Sequence, residues 1–130
     1  MYTSIVVGTD GSPTAAKAVT HAATLAALTG AHLHVAMVAS NEWGEASEQS
    51  TRLGLEAAAA LAAEAGAEVT THALGGDPAD ALLSLCEQVD ADLLVIGNRG
   101  MHGARRFLLG SVSSRCAHHA GCSVLIVQTS

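Results

Sequence analysis

The stretch DADLLVIGNRGMHGARRFLLGSVSS, residues 90–114, runs from a strand pattern through a glycine-rich segment to the start of a helix. Its part DLLVIG (92–97) is the most apolar of the strand-like runs in the chain. A short continuous apolar run is typical of a strand buried on both faces, so we expect it at the centre of a parallel sheet. The glycines that follow indicate a backbone that approaches another group closely.

The rest of the chain repeats the alternation of a short apolar run with a helical pattern. Ser12-Pro13 and Asp77-Pro78 are predicted helix starts, because each pairs a capping oxygen with a proline in the first turn. Glycines at 30 and 66 are predicted to end helices. The run 67–74 alternates apolar and polar residues, as an edge strand does. We predict strands at 4–9, 32–38, 67–74, 92–97 and 123–128, helices at 13–29, 48–65, 78–89 and 111–119, and a connecting loop at 39–50.

This alternation implies right-handed crossovers and therefore a parallel sheet with helices on both faces. No internal repeat or linker interrupts it, so residues 1–130 are expected to form one α/β domain of Rossmann-like type. With one Trp, one Tyr and one Phe, the core must consist of Ala, Val, Leu and Ile. Ligands of such sheets bind beyond the carboxyl ends of the strands, and both Asp10 and Gly97 follow or end a predicted strand.

The composition limits the classes of partner that the protein is expected to bind. The formal net charge of −6 disfavours binding to nucleic acid and to anionic membranes. Four of the six Lys and Arg residues nevertheless lie between Arg99 and Arg115, which indicates either a small anionic ligand or a solvated loop. The three cysteines form no CxxC pair, the chain opens on a strand pattern, and no apolar run reaches the ~20 residues of a membrane span. We expect a soluble cytoplasmic protein.

The glycine-rich segment has the spacing G-x2-G-x9-G-S, formed by Gly97, Gly100 and Gly110-Ser111. Inward-pointing N–H groups without Cβ atoms suit a phosphate, and the start of the next helix would add its unpaired N–H groups. Arg99 would add a charged fork. The segment matches neither the P-loop nor the dinucleotide G-x-G-x-x-G pattern. The alternative is structural: Gly97 ends a strand, the other glycines form turns and Ser111 caps a helix.

These features resemble the universal stress proteins over essentially the whole chain. IVVGTDGSPTAAKAV (5–19) is similar to the first strand and helix of that family, and residues 90–127 are similar to its C-terminal signature. The glycine spacing is that of the ATP-binding branch. The resemblance implies a five-stranded sheet of order 3-2-1-4-5, a homodimer formed through strand 123–128, and ATP as the ligand, with AMP or cyclic AMP as alternatives. It also implies a stress-response or signalling regulator that acts through ligand-dependent conformation or partner binding.

The resemblance further implies where the nucleotide binds. Thr9 and Asp10 would lie near the nucleoside, with Asp10 reaching the ribose or a phosphate-bound Mg²⁺ ion, and Val38 would contact the adenine through its backbone. The ribose and phosphate side would be lined by Ile96, Gly97, Arg99 and Gly100. The phosphates would be held by Gly110, Ser111, Val112 and Ser113. The chain departs from the family at Ser123, where many members have proline, and in its short connection after Val38.

Two other function classes are open. An enzyme would need more than Asp10, the one acidic residue that can be placed at this edge, so we expect binding with at most slow ATP hydrolysis. A dimeric interaction module would leave the glycine-rich segment without a nucleotide. A zinc site within CAHHAGC (116–122) is disfavoured, because the helical positions of its Cys and His residues do not suit tetrahedral geometry. Trp43 would either cover the adenine or fill a gap in the core.

The remaining cysteines and histidines have structural interpretations. Cys86 and Cys116 lie on apolar helix stripes and are expected to be buried thiols. The histidines at 118–119 are expected at a helix C-terminus, where they suit the helix dipole. His32 and His34 share a strand face and are expected near the end of the sheet.

Overall fold

The computed structural model describes residues 1–39, 44–98 and 111–129, with only the backbone given for residues 39 and 44–47. Strands and helices alternate in the predicted order. The strands are β1 (Ser4–Gly8), β2 (His32–Ala39), β3 (Glu68–Gly75), β4 (Leu93–Gly97) and β5 (Ser123–Val127). The helices are α1 (Ala15–Thr29), α2 (Gly44–Glu64), α3 (Pro78–Gln88) and α4 (Ser111–His119).

The five strands are parallel and lie in the order β3-β2-β1-β4-β5, which confirms the predicted architecture. β1 is the middle strand, so the prediction that 92–97 is central was wrong by one position; β4 lies beside it and is buried. β1 and β4 are both interior strands buried on both faces, so apolarity marks a strand as interior and does not rank it against its neighbour. The strand order reverses between β1 and β4, which places a crevice at their carboxyl ends.

Alternate residues of each strand face opposite layers of helices. The layer of α1 and α2 covers Val7 and Val95, and the layer of α3 and α4 covers Val6 and Leu94. The buried face of α1 is made largely of alanines, namely Ala18, Ala22, Ala23 and Ala26. Small side chains let the helix lie close to the sheet, as the near absence of aromatic residues predicts.

The helix ends follow the predicted chemistry, with two exceptions. α1 begins at Ala15, two residues later than predicted, and its N-cap Thr14 makes no side-chain capping bond; α2 begins earlier than predicted. Ser12 Oγ accepts a hydrogen bond from the Ala15 N–H at 3.2 Å, and Asp77 Oδ2 accepts one from the Asp80 N–H at 3.0 Å. α2 begins at Gly44, so much of the stretch predicted as a loop at 39–50 is helix. Its polar residues include good helix formers, and residues 48–50 are exposed, so polarity there marks a solvated helix face. Throughout the described ranges, no helix combines the length and apolarity needed to cross a membrane.

Asp92 fastens the amino ends of β1 and β4 together. Its carboxylate accepts hydrogen bonds from the N–H groups of Thr3 (2.9 Å) and Ser4 (3.2 Å) and from the Thr3 hydroxyl (3.1 Å). Partial burial opposes the charge, but these hydrogen bonds outweigh it and hold the pKa of Asp92 below its ordinary value. The crevice lies at the carboxyl ends of β1 and β4, and Asp92 holds these two strands in register at their amino ends.

Candidate functional site

The loop after β1 is folded by its own side chains. Thr9 is 2% exposed and its Oγ1 accepts a hydrogen bond from the Gly11 N–H at 3.1 Å. Asp10 Oδ1 accepts one from the Ser12 N–H at 2.9 Å. Gly11 has a φ of 81°, a conformation that favours glycine. Asp10 is therefore a turn residue, as its sequence context allows, and it stands half-buried at the carboxyl edge, meaning the side of the sheet where the strands end.

β2 extends past the end of β1 at this edge. Ala36 lies opposite Gly8, and its carbonyl accepts a hydrogen bond from the Thr9 N–H at 3.0 Å. Backbone groups alternate in direction along a strand, so Val38 directs its N–H and C=O the same way as Ala36, into the space beyond β1. The adenine contact of Val38 stays a prediction.

Gly97 is held from two sides. Its carbonyl accepts a hydrogen bond of 2.6 Å from the hydroxyl of Ser113, which is 2% exposed. A Cβ atom on Gly97 would lie 3.0 Å from Cγ2 of Thr129, a contact so tight that Thr129 would have to move slightly to accommodate it. The packing of Thr129 thus favours a glycine at this position, a reason that spacing alone does not reveal. The bond to Ser113 joins the two described ends of the glycine-rich segment.

The predicted phosphate-binding residues of α4 differ in their surroundings. Ser111 is exposed, Val112 packs half-buried against the core, and the Ser113 hydroxyl is committed to Gly97. The side chain of Ile96 lies in the core, so only its backbone reaches the edge. The first N–H groups of a helix have no partner within the helix, and those of α4 begin at this point. The predicted residues Arg99, Gly100 and Gly110, and also Trp43, lie outside the described residues.

Two residues that the sequence reasoning missed belong to this region, Asn98 and Thr129. The Asn98 N–H donates to the Val127 carbonyl at 2.9 Å. Asn98 Oδ1 accepts hydrogen bonds from the Thr129 N–H at 2.9 Å and from the Thr129 hydroxyl at 3.0 Å. These contacts depend on the pairing of β4 with β5, for which the local sequence carries no signal.

Arg115 does not contribute to a positive strip at the carboxyl edge. Its guanidinium lies 2.9 Å from Asp77 Oδ2 and 2.7 Å from Asp80 Oδ1, both at the start of α3. The three side chains are about half exposed, so these ion pairs add little stability. They connect α4 to α3. Since the charge of Arg115 is paired here, only three of the four basic residues between Arg99 and Arg115 remain as an argument for an anionic ligand.

The cysteines are buried or half-buried thiols. Cys86 and Cys116 are buried as predicted, and Cys122 borders a cavity of about 200 Å³ together with Cys86 and His119. Burial, with a smaller effect of Cys122, raises the pKa of Cys86 to about 12, and burial raises the pKa of Cys116 to about 11. Protonated thiols are poor metal ligands and poor nucleophiles. Within the described part of the chain, no three His, Cys, Asp or Glu side chains are arranged to hold a metal ion.

A histidine pair joins β2 to the edge strand β3. His34 Nδ1 and His72 Nε2 are 2.9 Å apart, so a neutral ring donates to its partner. Burial lowers the pKa of both rings, and the neighbouring His32 lowers them further. His32 Nε2 lies 2.7 Å from the Thr70 hydroxyl, and in the strand register His32 stands opposite Glu68. These side chains therefore connect β2 to the edge strand β3 through polar contacts.

Mild acid is expected to destabilise the protein through this pair. The folded-state pKa values lie below the ordinary value of 6.5, so the unfolded chain takes up protons first as the pH falls. The stabilisation is present above about pH 6.5 and is lost below it. Urea unfolding between about pH 8 and pH 5 should show this loss in the wild type and a smaller loss in His72→Gln. His21→Gln, on the exposed face of α1, is the control; a wild-type pH profile for His72→Gln would contradict the assignment.

Comparison with known proteins identifies the family. The model of the universal stress protein family matches residues 1–128. Universal stress protein MJ0531 of Methanocaldococcus jannaschii is 34% identical over 98% of this chain and 83% of its own length. A universal stress protein solved in complex with cAMP has a TM-score of 0.83 and 35% identity over 99% of both chains. A universal stress protein from Archaeoglobus fulgidus in complex with dAMP has a TM-score of 0.84 and 26% identity over 98% of both chains. With this match over nearly its full length, the chain belongs to the universal stress protein family.

Proposed function

We propose that this protein binds an adenine nucleotide at the carboxyl edge between β1 and β4. The hydrogen bond from Ser113 to the Gly97 carbonyl carries the proposal, because it brings both ends of the G-x2-G-x9-G-S segment to one place. The first turn of α4 supplies unpaired N–H groups and a positive dipole end there, which suit a phosphate. Asp10 stands on the other side of the crevice, together with the backbone of Val38, whose N–H and C=O point into the space beyond β1. Two structures of the same family, solved with cAMP and with dAMP, support the assignment to adenine nucleotides.

ATP is the favoured nucleotide. The glycine-rich segment and the start of α4 together offer more donors than a single phosphate needs, and the spacing is that of the ATP-binding branch. Asp10 has one carboxylate oxygen bonded to the Ser12 N–H, which leaves the other to reach a ribose or a Mg²⁺ ion carried by the phosphates. Cyclic AMP is the second candidate, favoured by the cAMP complex of a relative that is 35% identical to this chain.

The proposal includes a homodimer formed through β5. This strand lies at the sheet edge, and its apolar residues Val124, Leu125 and Ile126 are only half-buried. An apolar edge strand invites pairing with a second chain. The three free thiols suit a reducing compartment, consistent with a cytoplasmic stress-response or signalling regulator that acts through ligand-dependent conformation or partner binding.

Equilibrium binding to nucleotide-free protein tests the proposal. Calorimetric titrations with ATP, ADP, AMP and cyclic AMP, with and without Mg²⁺, should give ATP an affinity at least about tenfold above that of AMP, equal to roughly 1.4 kcal/mol. Equal affinities for ATP and AMP would remove the triphosphate assignment, and tightest binding of cyclic AMP would support the second candidate. The upper end of the usual KM range is about 1 mM. If none of the four nucleotides binds at that concentration, the interaction module is left as the function.

Replacement of Gly110 by leucine tests the segment itself. The new side chain is expected to lower nucleotide affinity by about tenfold or more, because a Cβ and its branches displace an anion from backbone N–H groups. The dimer should be unaffected. Gly121→Leu is the matched control, since a Cβ at Gly121 meets no atom within 4 Å and lies at the opposite end of α4. Wild-type affinity in Gly110→Leu would contradict the site.

A further inference from the structure

The end of the chain is bonded to the first residues of the glycine-rich segment. The bond from the Asn98 N–H to the Val127 carbonyl extends the pairing of β4 with β5 by one residue, beyond the pair of Gly97 with Val127. Asn98 Oδ1 then accepts both the N–H and the hydroxyl of Thr129, at 2.9 and 3.0 Å. The carboxamide oxygen is therefore directed at the end of the chain.

Thr129 also contacts Gly97 directly. Thr129 is 3% exposed, and its Cγ2 lies where a Cβ of Gly97 would meet it at 3.0 Å. On the other side, the Ser113 hydroxyl donates to the Gly97 carbonyl. The peptide between Gly97 and Asn98 is thus bonded to α4 through the Gly97 carbonyl and to β5 through the Asn98 N–H, and Thr129 packs beside it.

We infer that Asn98 and Thr129 are positioning residues for the nucleotide, acting through the backbone of Gly97 and Asn98. The inference rests on the proposed function. The sheet ends at this peptide, and a rotation here would turn the Asn98 N–H and the Gly97 carbonyl that holds the start of α4 through Ser113. Recognition by backbone N–H groups depends on their direction being fixed before the ligand arrives. The residues that fix it lie just beyond the ends of β4 and β5, outside the glycine positions of the spacing.

Two substitutions of Thr129 separate its hydroxyl from its methyl group. Thr129→Val removes the hydroxyl and keeps the methyl, and it is expected to weaken ATP binding about fivefold, the effect of one neutral hydrogen bond. Thr129→Ser keeps the hydroxyl and should bind ATP nearly as the wild type does. Thr29→Val is the matched control, because the Thr29 hydroxyl donates to the Leu25 carbonyl at 2.7 Å at the far end of α1. It should bind ATP as the wild type does.

The outcomes separate this inference from the proposed function. If the wild type binds ATP and Thr129→Val binds it equally well, the inference is overturned and the proposed function stands. If Thr29→Val weakens binding as much as Thr129→Val does, the effect is one of stability and the inference is again overturned. If the wild type binds no adenine nucleotide, the proposed function fails and the nucleotide role fails with it, and hydrogen exchange in the ligand-free protein then tests only whether Thr129 fixes the backbone at Asn98. Faster exchange of the Asn98 amide in Thr129→Val supports the positioning role, and unchanged exchange overturns it.

Discussion

Leu82→Ala is expected to lower the free energy of unfolding by about 2–5 kcal/mol, the range for a leucine removed from a closed core. Leu82 on α3 is 0% exposed and packs against the face of the sheet formed by Val6, Leu94 and Ile96. Its Cδ1 lies 3.0 Å from the place where a Cβ on Gly8 would stand. The surrounding strands are fixed by their ladders and can close little of the space. Urea denaturation measures the change from the midpoint and slope.

Gly8→Ala provides the second side of a double-mutant cycle. In the wild type the added methyl group meets both Cδ atoms of Leu82, at 3.0 and 3.3 Å, and should destabilise the protein by about 1–3 kcal/mol. In the Leu82→Ala background the same methyl enters the cavity. The double variant should therefore lose less free energy of unfolding than the two single variants lose together. Strict additivity would show that α3 does not press on the end of β1. Gly75→Ala, where a Cβ meets no atom within 4 Å, is the control for the loss of a strand glycine.

Ser113→Ala is expected to reduce stability by about 1–3 kcal/mol, because it leaves the half-buried Gly97 carbonyl without the hydroxyl that donates to it. The same change should weaken nucleotide binding, since it releases the start of α4 from the end of β4. Ser114→Ala, the next residue on α4 and half-buried, is the matched control and should stay within about 0.5 kcal/mol of the wild type. Denaturation together with ATP titration checks both effects. A Ser113→Ala protein as stable as the control would mean that the 2.6 Å contact contributes nothing.

The predicted elements and the observed ones differ where local polarity was used as the guide. α2 begins at Gly44 because polar residues with high helix propensity can form the solvated face of a helix as readily as a loop. Strand ends and capping residues were easier to predict from the sequence. Ser12, Asp77 and Gly30 act through hydrogen bonds or φ angles that involve only a few neighbouring residues. The order of the strands was implied by the resemblance to the family, and periodicity alone left it open.

By itself, the sequence determined the alternation of strands and helices, the parallel sheet built without aromatic residues, and the meeting of the Asp10 and Gly97 loops at one edge. These follow from hydrophobic period and chain connectivity, which are local properties. The tertiary structure decided that Arg115 pairs with α3, that Ser113 bonds to the Gly97 carbonyl, and that the Thr129 methyl packs tightly against Gly97. Each of these contacts joins residues from different elements, and only the packing of those elements brings their atoms within bonding distance.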